Sequence, residues 1–195
     1  KHIFVYLWGC NLPRPKTVPD EIVLEEALAI MQAGGPDSLT FAALGQRTGL
    51  SASTLVQRFR TKEALSKAAL VHAWDRLDRQ TEEAAEACPG SPEGAVELLV
   101  RLSRIYGGMD SYADGLLLLR EDLRDPDLRA RGRAWAERLS AVLDRCFPGR
   151  AGTGRILASQ WQGALLWWSF EQTGPIEDFV RKELGFFVGS VLGCR

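Results

Sequence analysis

The sequence predicts an all-α protein, and three observations support this fold class. From Pro19 onward, apolar residues recur at the three- and four-residue spacing of amphipathic helices. The sequence contains no window with the sustained polar–apolar alternation of a half-buried strand. Breaks rich in glycine and proline divide the pattern into segments of ordinary helix length. With 195 residues, of which 46% are hydrophobic and 25% charged, the composition is that of a globular protein.

Of the first four predicted helices, the second, third and fourth begin with a hydroxyl side chain, and the first and second end at glycines. The first helix has a proline and acidic residues in its first turn, and the fourth is long enough to connect two parts of the chain. We expect these helices at residues 19–33, 40–48, 51–59 and 61–87. The residues predicted to cap or stop them are Pro19, Gly34, Gly35, Thr40, Gly49, Ser51 and Thr61.

A proline- and glycine-containing break, "CPGSP" at residues 88–92, precedes the second group of helices. The segment "GRAGTGR" at 149–155 has glycines spaced as in phosphate-binding loops, but no predicted strand precedes it. We therefore expect a connection between two helices there. The later helices are predicted at about 95–107, 112–123, 126–146, 153–172 and 176–192.

The N-terminal residues 1–18 differ in composition from the rest of the chain. "KHIFVYLWGCNL" is aromatic and β-branched but too short to span a bilayer, and "PRPKTVP" does not resemble a signal-peptide cleavage site. A docking arm, an expression remnant and a misassigned chain end all remain open. We divide the remainder into a three-helix unit at 19–66 and a larger helical unit at 67–195.

Positive charge is concentrated in one part of the chain. Residues 40–70 contain five cations and one anion, whereas the other residues contain 19 cations and 24 anions, and the whole chain has a net charge of -1. A local basic patch of this kind suits phosphate, although an ordinary solvated helix face is the alternative. The charge pattern therefore allows a nucleic-acid surface but excludes a protein that is basic throughout.

The residue types needed for catalysis or metal binding are sparse. Only His2 and His72 are histidines, and the chain lacks GxSxG, HExxH and Walker motifs. The four cysteines are far apart and form no CxxC pair, which predicts reduced thiols in the cytoplasm rather than a zinc site or a disulfide framework. We expect no enzymatic activity, no metal and no cofactor. The cysteines are Cys10, Cys88, Cys146 and Cys194.

The second and third predicted helices have the features of a helix-turn-helix motif. Gly45 permits close helix approach, and Gly49 allows the tight turn. Inward apolar anchors alternate with outward polar side chains that suit base edges and phosphates. The predicted anchors are Leu44, Leu50, Leu55 and Phe59.

This stretch resembles the DNA-binding domain of the tetracycline-repressor (TetR) family of bacterial transcription regulators. The segments "LGQRTGLS", "TLV", "F" and "TKEAL" occur at the family's spacing, and the close match covers residues 20–66. Val56 stands where the family usually has a tyrosine that contacts the DNA backbone, and Gly45 replaces a usual alanine.

The resemblance implies a set of DNA contacts. Thr40, Thr54, Arg58 and Lys62 would hold phosphates. Ser53 and Gln57 are predicted to read bases, and Arg47 can serve either role. The helix cap Ser51 is also a candidate. The complete DNA-binding set is Thr40, Arg47, Ser51, Ser53, Thr54, Gln57, Arg58 and Lys62.

The larger unit contains aromatic residues that could line an effector pocket or simply form a core. The pocket candidates are Trp74, Tyr106, Met109, Tyr112, Leu116, Trp135, Gln160, Trp161 and Trp168. The eighth helix is apolar on two sides and therefore requires a second packing partner. The resemblance implies a homodimer through the last two helices. The predicted dimer residues are Leu166, Trp167, Phe170, Gly185, Gly189 and Gly193.

The function implied is that of a ligand-responsive, dimeric transcription regulator in the cytoplasm. By the family's usual mode it would be a repressor that binds a palindromic operator and is released by a small apolar or aromatic effector. The alternative is a helical ligand-binding or interaction protein with a weakened DNA-reading surface. A membrane partner is not expected.

Overall fold

The computed structural model describes residues 18–106, 109–171, 173–191 and 193. Within these residues the secondary structure is helical, with no strand, which confirms the predicted all-α fold. The predicted segment 1–18 lies outside the described residues apart from Val18. The helices are α1 Asp20–Gly34, α2 Phe41–Thr48, α3 Ala52–Phe59, α4 Lys62–Glu86, α5 Pro92–Ser103, α6 Met109–Arg124, α7 Pro126–Asp144, α8 Thr153–Glu171 and α9 Ile176–Phe186.

Helix boundaries differ most from the sequence prediction in the second half of the chain. Helix α5 begins at Pro92, about one turn earlier than expected, because the Ser91 side chain accepts a hydrogen bond from Gly94 N. Helix α6 likewise begins earlier, at Met109. Helix α9 ends at Phe186, and a π-helical turn follows it over Phe187–Val191.

Three hydroxyl caps organise the N-terminal helices in the same way. The side-chain oxygens of Thr40, Ser51 and Thr61 accept hydrogen bonds from the backbone N–H three residues later, at 3.0, 3.1 and 3.1 Å. Each cap satisfies one of the unpaired N–H groups at a helix start and stabilises the fold by about 1 kcal/mol. The caps predicted from sequence are therefore present.

Two hydrophobic clusters make up the core. The first joins α1–α3 and the start of α4, with Leu44, Leu55 and Leu65 fully buried, and also takes in Leu118 of α6 and Leu128 of α7. The second joins the later part of α4 to α5–α9 and surrounds the fully buried Trp161. Since Trp74 of α4 packs against both clusters, α4 is shared by the two parts of the chain.

Helix α7 lies along α4 and is clamped to it by charge. Arg131 of α7 pairs with Asp75 and with Asp78, and Arg138 pairs with Asp78. Gly132 lies over the Trp74 ring, where a Cβ atom would come within 3.2 Å of two ring carbons. The absence of a side chain at position 132 thus lets α7 approach α4 closely.

The connection between α7 and α8 is closed by a carboxylate. Asp144 accepts hydrogen bonds from the backbone N–H of Gly154 at 2.7 Å and of Gly152 at 3.3 Å. These amides belong to the "GRAGTGR" segment, so a side chain of the protein occupies the donors that a phosphate loop would offer. As expected, the segment connects two helices.

Two properties of the described residues bear on function. None of their helices combines the length and apolarity needed to cross a bilayer. Nor do three or more of their His, Cys, Asp and Glu side chains gather as ligands for a metal ion. His72, the one histidine within the described ranges, is buried and bonds Glu25 through Nε2 at 2.8 Å.

Replacing Gly154 with alanine should lower the free energy of unfolding by about 1–3 kcal/mol, as overpacking of a core does. The added Cβ would lie 2.2 Å from Ser140 O and 2.7 Å from Asp144 N, both backbone atoms that cannot move independently. Gly115→Ala is the matched control, because its Cβ would meet nothing within 4 Å and alanine favours a helix. Thermal denaturation of both variants tests this, and equal melting temperatures would contradict the packing at Gly154.

Candidate DNA-binding surface and ligand region

The turn between α2 and α3 is set by two glycines. Gly49 has a φ of +72° and its N–H bonds Gly45 O at 2.9 Å, which ends α2 in a left-handed cap. A Cβ at Gly45 would lie 2.8 Å from Leu50 O. Alanine at 45 would therefore push the two helices apart, and glycine there permits the observed crossing.

Helix α3 presents a polar exposed face next to its N-terminus. Ser51, Ser53 and Gln57 are exposed, and Thr54 is half-buried. The Ser51 hydroxyl bonds the hydroxyls of Ser53 and Thr54, each at 2.8 Å. Val56 lies on the same helix and is 42% exposed, so an apolar side chain interrupts this polar surface.

The cations near this face are paired with acids from other elements. Arg58 donates to Val18 O at 2.7 Å and to Asp20 Oδ1 at 3.0 Å, which ties α3 to the start of α1. Lys62 donates to the backbone oxygen of Asp37 at 3.0 Å and lies 3.9 Å from Asp37 Oδ1, and Arg47 pairs with Glu26. These partners come from sequence positions outside 40–70, which is why counting charge in that window could not reveal them.

Two further cations of the same region behave differently from each other. Lys67 pairs with Asp125 and Asp127 at the start of α7, and those carboxylates raise the pKa of the Lys67 ammonium. Arg60 is exposed, has a φ of +69° and forms no ion pair with a described residue. Its guanidinium is thus available for phosphate, a role that the sequence did not single out.

The aromatic pocket candidates are packed as core, and their indole N–H groups are already bonded. Trp135 donates to Thr81 Oγ1 at 3.0 Å, and Trp161 donates to Ser103 Oγ at 2.9 Å. Trp168 donates to Gly174 O at 3.1 Å. Because buried indoles need such partners, these side chains are held in place by the protein itself.

The rings form two contacting groups. Trp135 lies with its centroid 6.0 Å from that of Trp74 and 6.4 Å from that of Trp161. Tyr112 likewise links Tyr106, at 5.3 Å, to Trp168, at 6.3 Å. Burial raises the pKa of the Tyr106 hydroxyl to about 12, so it stays protonated.

Three other pocket candidates lie outside these rings. Leu116 is 43% exposed, so it lies on the outer side of α6, while Leu118 of the same helix is buried. Gln160 of α8 is half-buried. Met109 begins α6, but its side chain is outside the described part of the chain.

A groove of about 380 Å³ lies between α4 and α7. Trp135, one of the pocket candidates, lines it. The other lining residues were not identified from sequence, because neither helix shows by its own pattern how far apart the two lie. The groove is thus a place where a ligand could bind without displacing the aromatic core.

Helices α8 and α9 expose an apolar surface. Trp167 and Phe170 are 60% and 71% exposed, and their rings lie 6.0 Å apart. Leu166 and Ile156 of α8 and Phe186 of α9 are also exposed, and Gly185 adjoins Phe186. Of the other predicted dimer residues, Gly189 is half-buried and Gly193 is exposed. Exposed apolar side chains of this number are typical of interaction surfaces.

A family model supports the helix-turn-helix interpretation. Residues 23–72 match the model described as bacterial regulatory proteins, tetR family. The match contains α2, the turn, α3 and the start of α4, where the sequence resemblance was found. The resemblance is therefore confirmed.

Solved structures share the fold over most of the chain. The TetR family transcriptional regulator PfmR from Thermus thermophilus is 24% identical with a TM-score of 0.59, and the match covers 84% of this chain and 95% of that one. A transcriptional regulator from Rhodococcus sp. Rha1 is 17% identical with a TM-score of 0.69, covering 91% and 98%. A transcriptional regulator from Saccharomonospora viridis in complex with choline is 19% identical with a TM-score of 0.68, covering 86% and 94%. No curated protein matches the chain in sequence.

Replacing Asp122 with asparagine should stabilise the protein at neutral pH. Asp122 Oδ1 accepts from Trp74 Nε1 at 3.1 Å, and burial raises its pKa to about 6. Because the folded state holds this proton more tightly than the unfolded one, the stability contributed by Asp122 is complete below about pH 4 and is lost as the pH rises through about 6. Asparagine keeps the acceptor and carries no charge.

Melting temperatures measured at several pH values test this. D122N should melt higher than the natural protein above about pH 7, and the difference should close near pH 4. Asp114→Asn on the same helix is the matched control. A constant difference between D122N and the natural protein at every pH would show that the Asp122 charge is not the cause.

Proposed function

We propose that this chain, which carries the TetR-family module at residues 23–72 and has the fold of that family's regulators, is a dimeric, ligand-responsive transcription regulator. It would act in the cytoplasm on a palindromic operator, as a repressor released by a small effector. The observation that carries the proposal is the capped α2–turn–α3 unit with an exposed polar face on α3. An enzymatic role has no support in the described side chains.

DNA reading would be divided between bases and phosphates. The exposed Ser53 and Gln57 lie one turn apart on α3 and can enter a major groove, where a glutamine–adenine pair contributes about 1–3 kcal/mol of discrimination. The N-terminus of α3, capped by Ser51, offers backbone N–H groups to a phosphate. Thr40, Thr54, Arg47, Arg58 and Lys62 would hold the flanking phosphates, with Arg60 as an additional contact.

The paired cations can be released at modest cost. Exposed ion pairs contribute about 0–1 kcal/mol each, whereas a DNA phosphate also gains from the release of bound counterions. Arg47 and Lys62 are exposed to 47% and 39% at their side chains, so both can reach a new partner. Arg58 is 23% exposed and is held more firmly.

Dimerisation would place two copies of α3 on one face of DNA. The exposed α8–α9 surface of Leu166, Trp167, Phe170 and Gly185 is apolar and lies on the second cluster, away from α3. Burying it against a symmetry-related copy removes large apolar side chains from water. Two α3 helices about 34–36 Å apart would then require an inverted-repeat operator.

A ligand response would act through α4. This helix starts directly after α3 and, at 25 residues, extends about 37 Å into the second cluster. A ligand that changes how α4 packs would alter the separation of the two α3 helices, and coupling of about 1–3 kcal/mol is enough for a switch. The similar Saccharomonospora viridis protein was solved with choline, which supports ligand binding on this fold.

A second candidate function is a helical ligand-binding protein with a weakened DNA-reading surface. Val56 in place of the family's tyrosine and the acid partners of Arg47, Arg58 and Lys62 favour it. The two candidates differ in one measurable property, sequence-specific binding to duplex DNA.

Selection from a random pool of duplex DNA tests the proposal. The purified protein should enrich inverted repeats. Lys62→Ala should then bind all DNA sequences more weakly, and the slope of log binding constant against log salt concentration should be smaller in magnitude by about one. Arg133→Ala, an exposed arginine on α7, is the control for lost positive charge. A folded protein that enriches no sequence would support the second candidate instead.

Trp167→Glu combined with Phe170→Glu should convert the dimer to a monomer. Two charges on the exposed α8 face would have to be buried without partners, which disfavours association strongly. Leu119→Glu, on the exposed side of α6, is the matched control and should leave the dimer intact. Sedimentation velocity measures both, and a monomeric natural protein or a dimeric double variant would contradict the assignment.

A further inference from the structure

We infer that the groove between α4 and α7 is an effector site for a small zwitterion with an apolar body. The inference rests on the proposed ligand response and names its site and ligand class. The aromatic core is closed by its own hydrogen bonds, whereas this groove of about 380 Å³ is within the size range of small-molecule sites.

The two walls of the groove carry opposite charges. Glu82 and Glu86, one turn apart on α4, form an acidic wall, and Arg145, directly after the last residue of α7, lies on the opposite side. All three side chains are exposed, and within the described residues none forms an ion pair. A cation beside the glutamates and an anion beside the arginine would satisfy both walls at once.

The other end of the groove already shows this pairing. Asp78 of α4 and Arg138 of α7 both line the groove and form an ion pair that joins the two helices. Glu82 and Glu86 form no such pair with Arg145, and a ligand with two charges can bridge the two walls there. Opposite charges on facing walls disfavour a simple anion or a simple cation, because each would meet one like-charged wall.

Part of the groove lining is apolar. Ala85 of α4 and Ala141 and Val142 of α7 are small, which leaves the space that a larger pair of side chains would fill. Trp135 is buried at one end with its N–H bonded to Thr81. An aliphatic or aromatic body between the two charged groups of the ligand would cover these side chains.

Occupation of the groove would act directly on the connector helix. The ligand would bridge α4 to α7 in the half of α4 that lies beyond Trp74, while the other end of α4 follows α3. A change in α4–α7 separation would therefore be transmitted along a rigid helix to the helix-turn-helix unit.

Calorimetric titration of the full chain without DNA tests the inference, with leucyl-leucine as the probe. N-acetyl-leucyl-leucine lacks the cation, and leucyl-leucine amide lacks the anion. The dipeptide should bind with saturation, and removing either of its charges should weaken binding by about two- to fivefold, as for partly exposed ion pairs.

Variants assign each charge to a wall. E82Q/E86Q should weaken binding of the dipeptide but not binding of its N-acetyl form. R145Q should weaken binding of the dipeptide but not binding of its amide. E83Q and R133Q remove exposed charges of the same helices outside the groove and should change nothing. A141F should fill the groove and abolish binding of all three probes at an unchanged melting temperature.

Three results would overturn the inference. They are no binding of any probe up to its solubility limit, equal binding of charged and blocked probes, and binding that survives A141F. The selection for DNA is a separate measurement. A protein that enriches an operator but binds no dipeptide keeps the proposed function and loses this site, whereas failure of DNA selection leaves the calorimetric result standing.

Discussion

The packing of Trp74 is the interaction on which the rest of the structure depends. Its ring contacts both hydrophobic clusters, its N–H bonds Asp122 of α6, and α7 can lie over it because position 132 has no side chain. One residue of α4 thereby fixes where three helices meet. Helix α4 therefore belongs to both parts of the chain, and neither part can move without changing the contacts of Trp74.

This arrangement favours the groove over the aromatic core as the site of the proposed ligand switch. A ligand that entered the core would have to displace indoles whose N–H groups are already bonded, and each displaced group would lose a buried hydrogen bond. Apart from the buried Thr81 and Trp135, the side chains that line the α4–α7 groove are half-buried or exposed. A ligand bound in the groove would contact α4 and α7, the two helices that the ion pairs of Asp78 join, and the core would stay closed.

The sequence predicted features that depend on neighbouring residues and missed those that depend on distant ones. Ser51, Thr61 and Gly49 could be identified because a cap or a left-handed turn is determined within a few residues. The exposed polar face of α3 could be predicted for the same reason. The ion pairs of Arg58 with Asp20 and of Lys62 with Asp37 join residues 38 and 25 positions apart, so a charge count over a window could not reveal them. The exposure of Leu116, within a run of four leucines, depends on which face of α6 meets α1, a tertiary property. Predicting the groove would require the distance between α4 and α7, and no pattern within either helix encodes that distance.

The acid partners of Arg47, Arg58 and Lys62 have a consequence for how a regulator would search a genome. Each time one of these cations turns to a phosphate, it leaves a carboxylate of Glu26, Asp20 or Asp37 near the nucleic acid. The residual repulsion acts on every sequence equally, whereas base contacts act only at the operator. In the proposed regulator this repulsion would lower the affinity for random DNA and for the operator by the same factor, and only the operator would offset it through base contacts. Fewer copies of the proposed regulator would then be held at the non-specific sites, which compete with an operator in large excess.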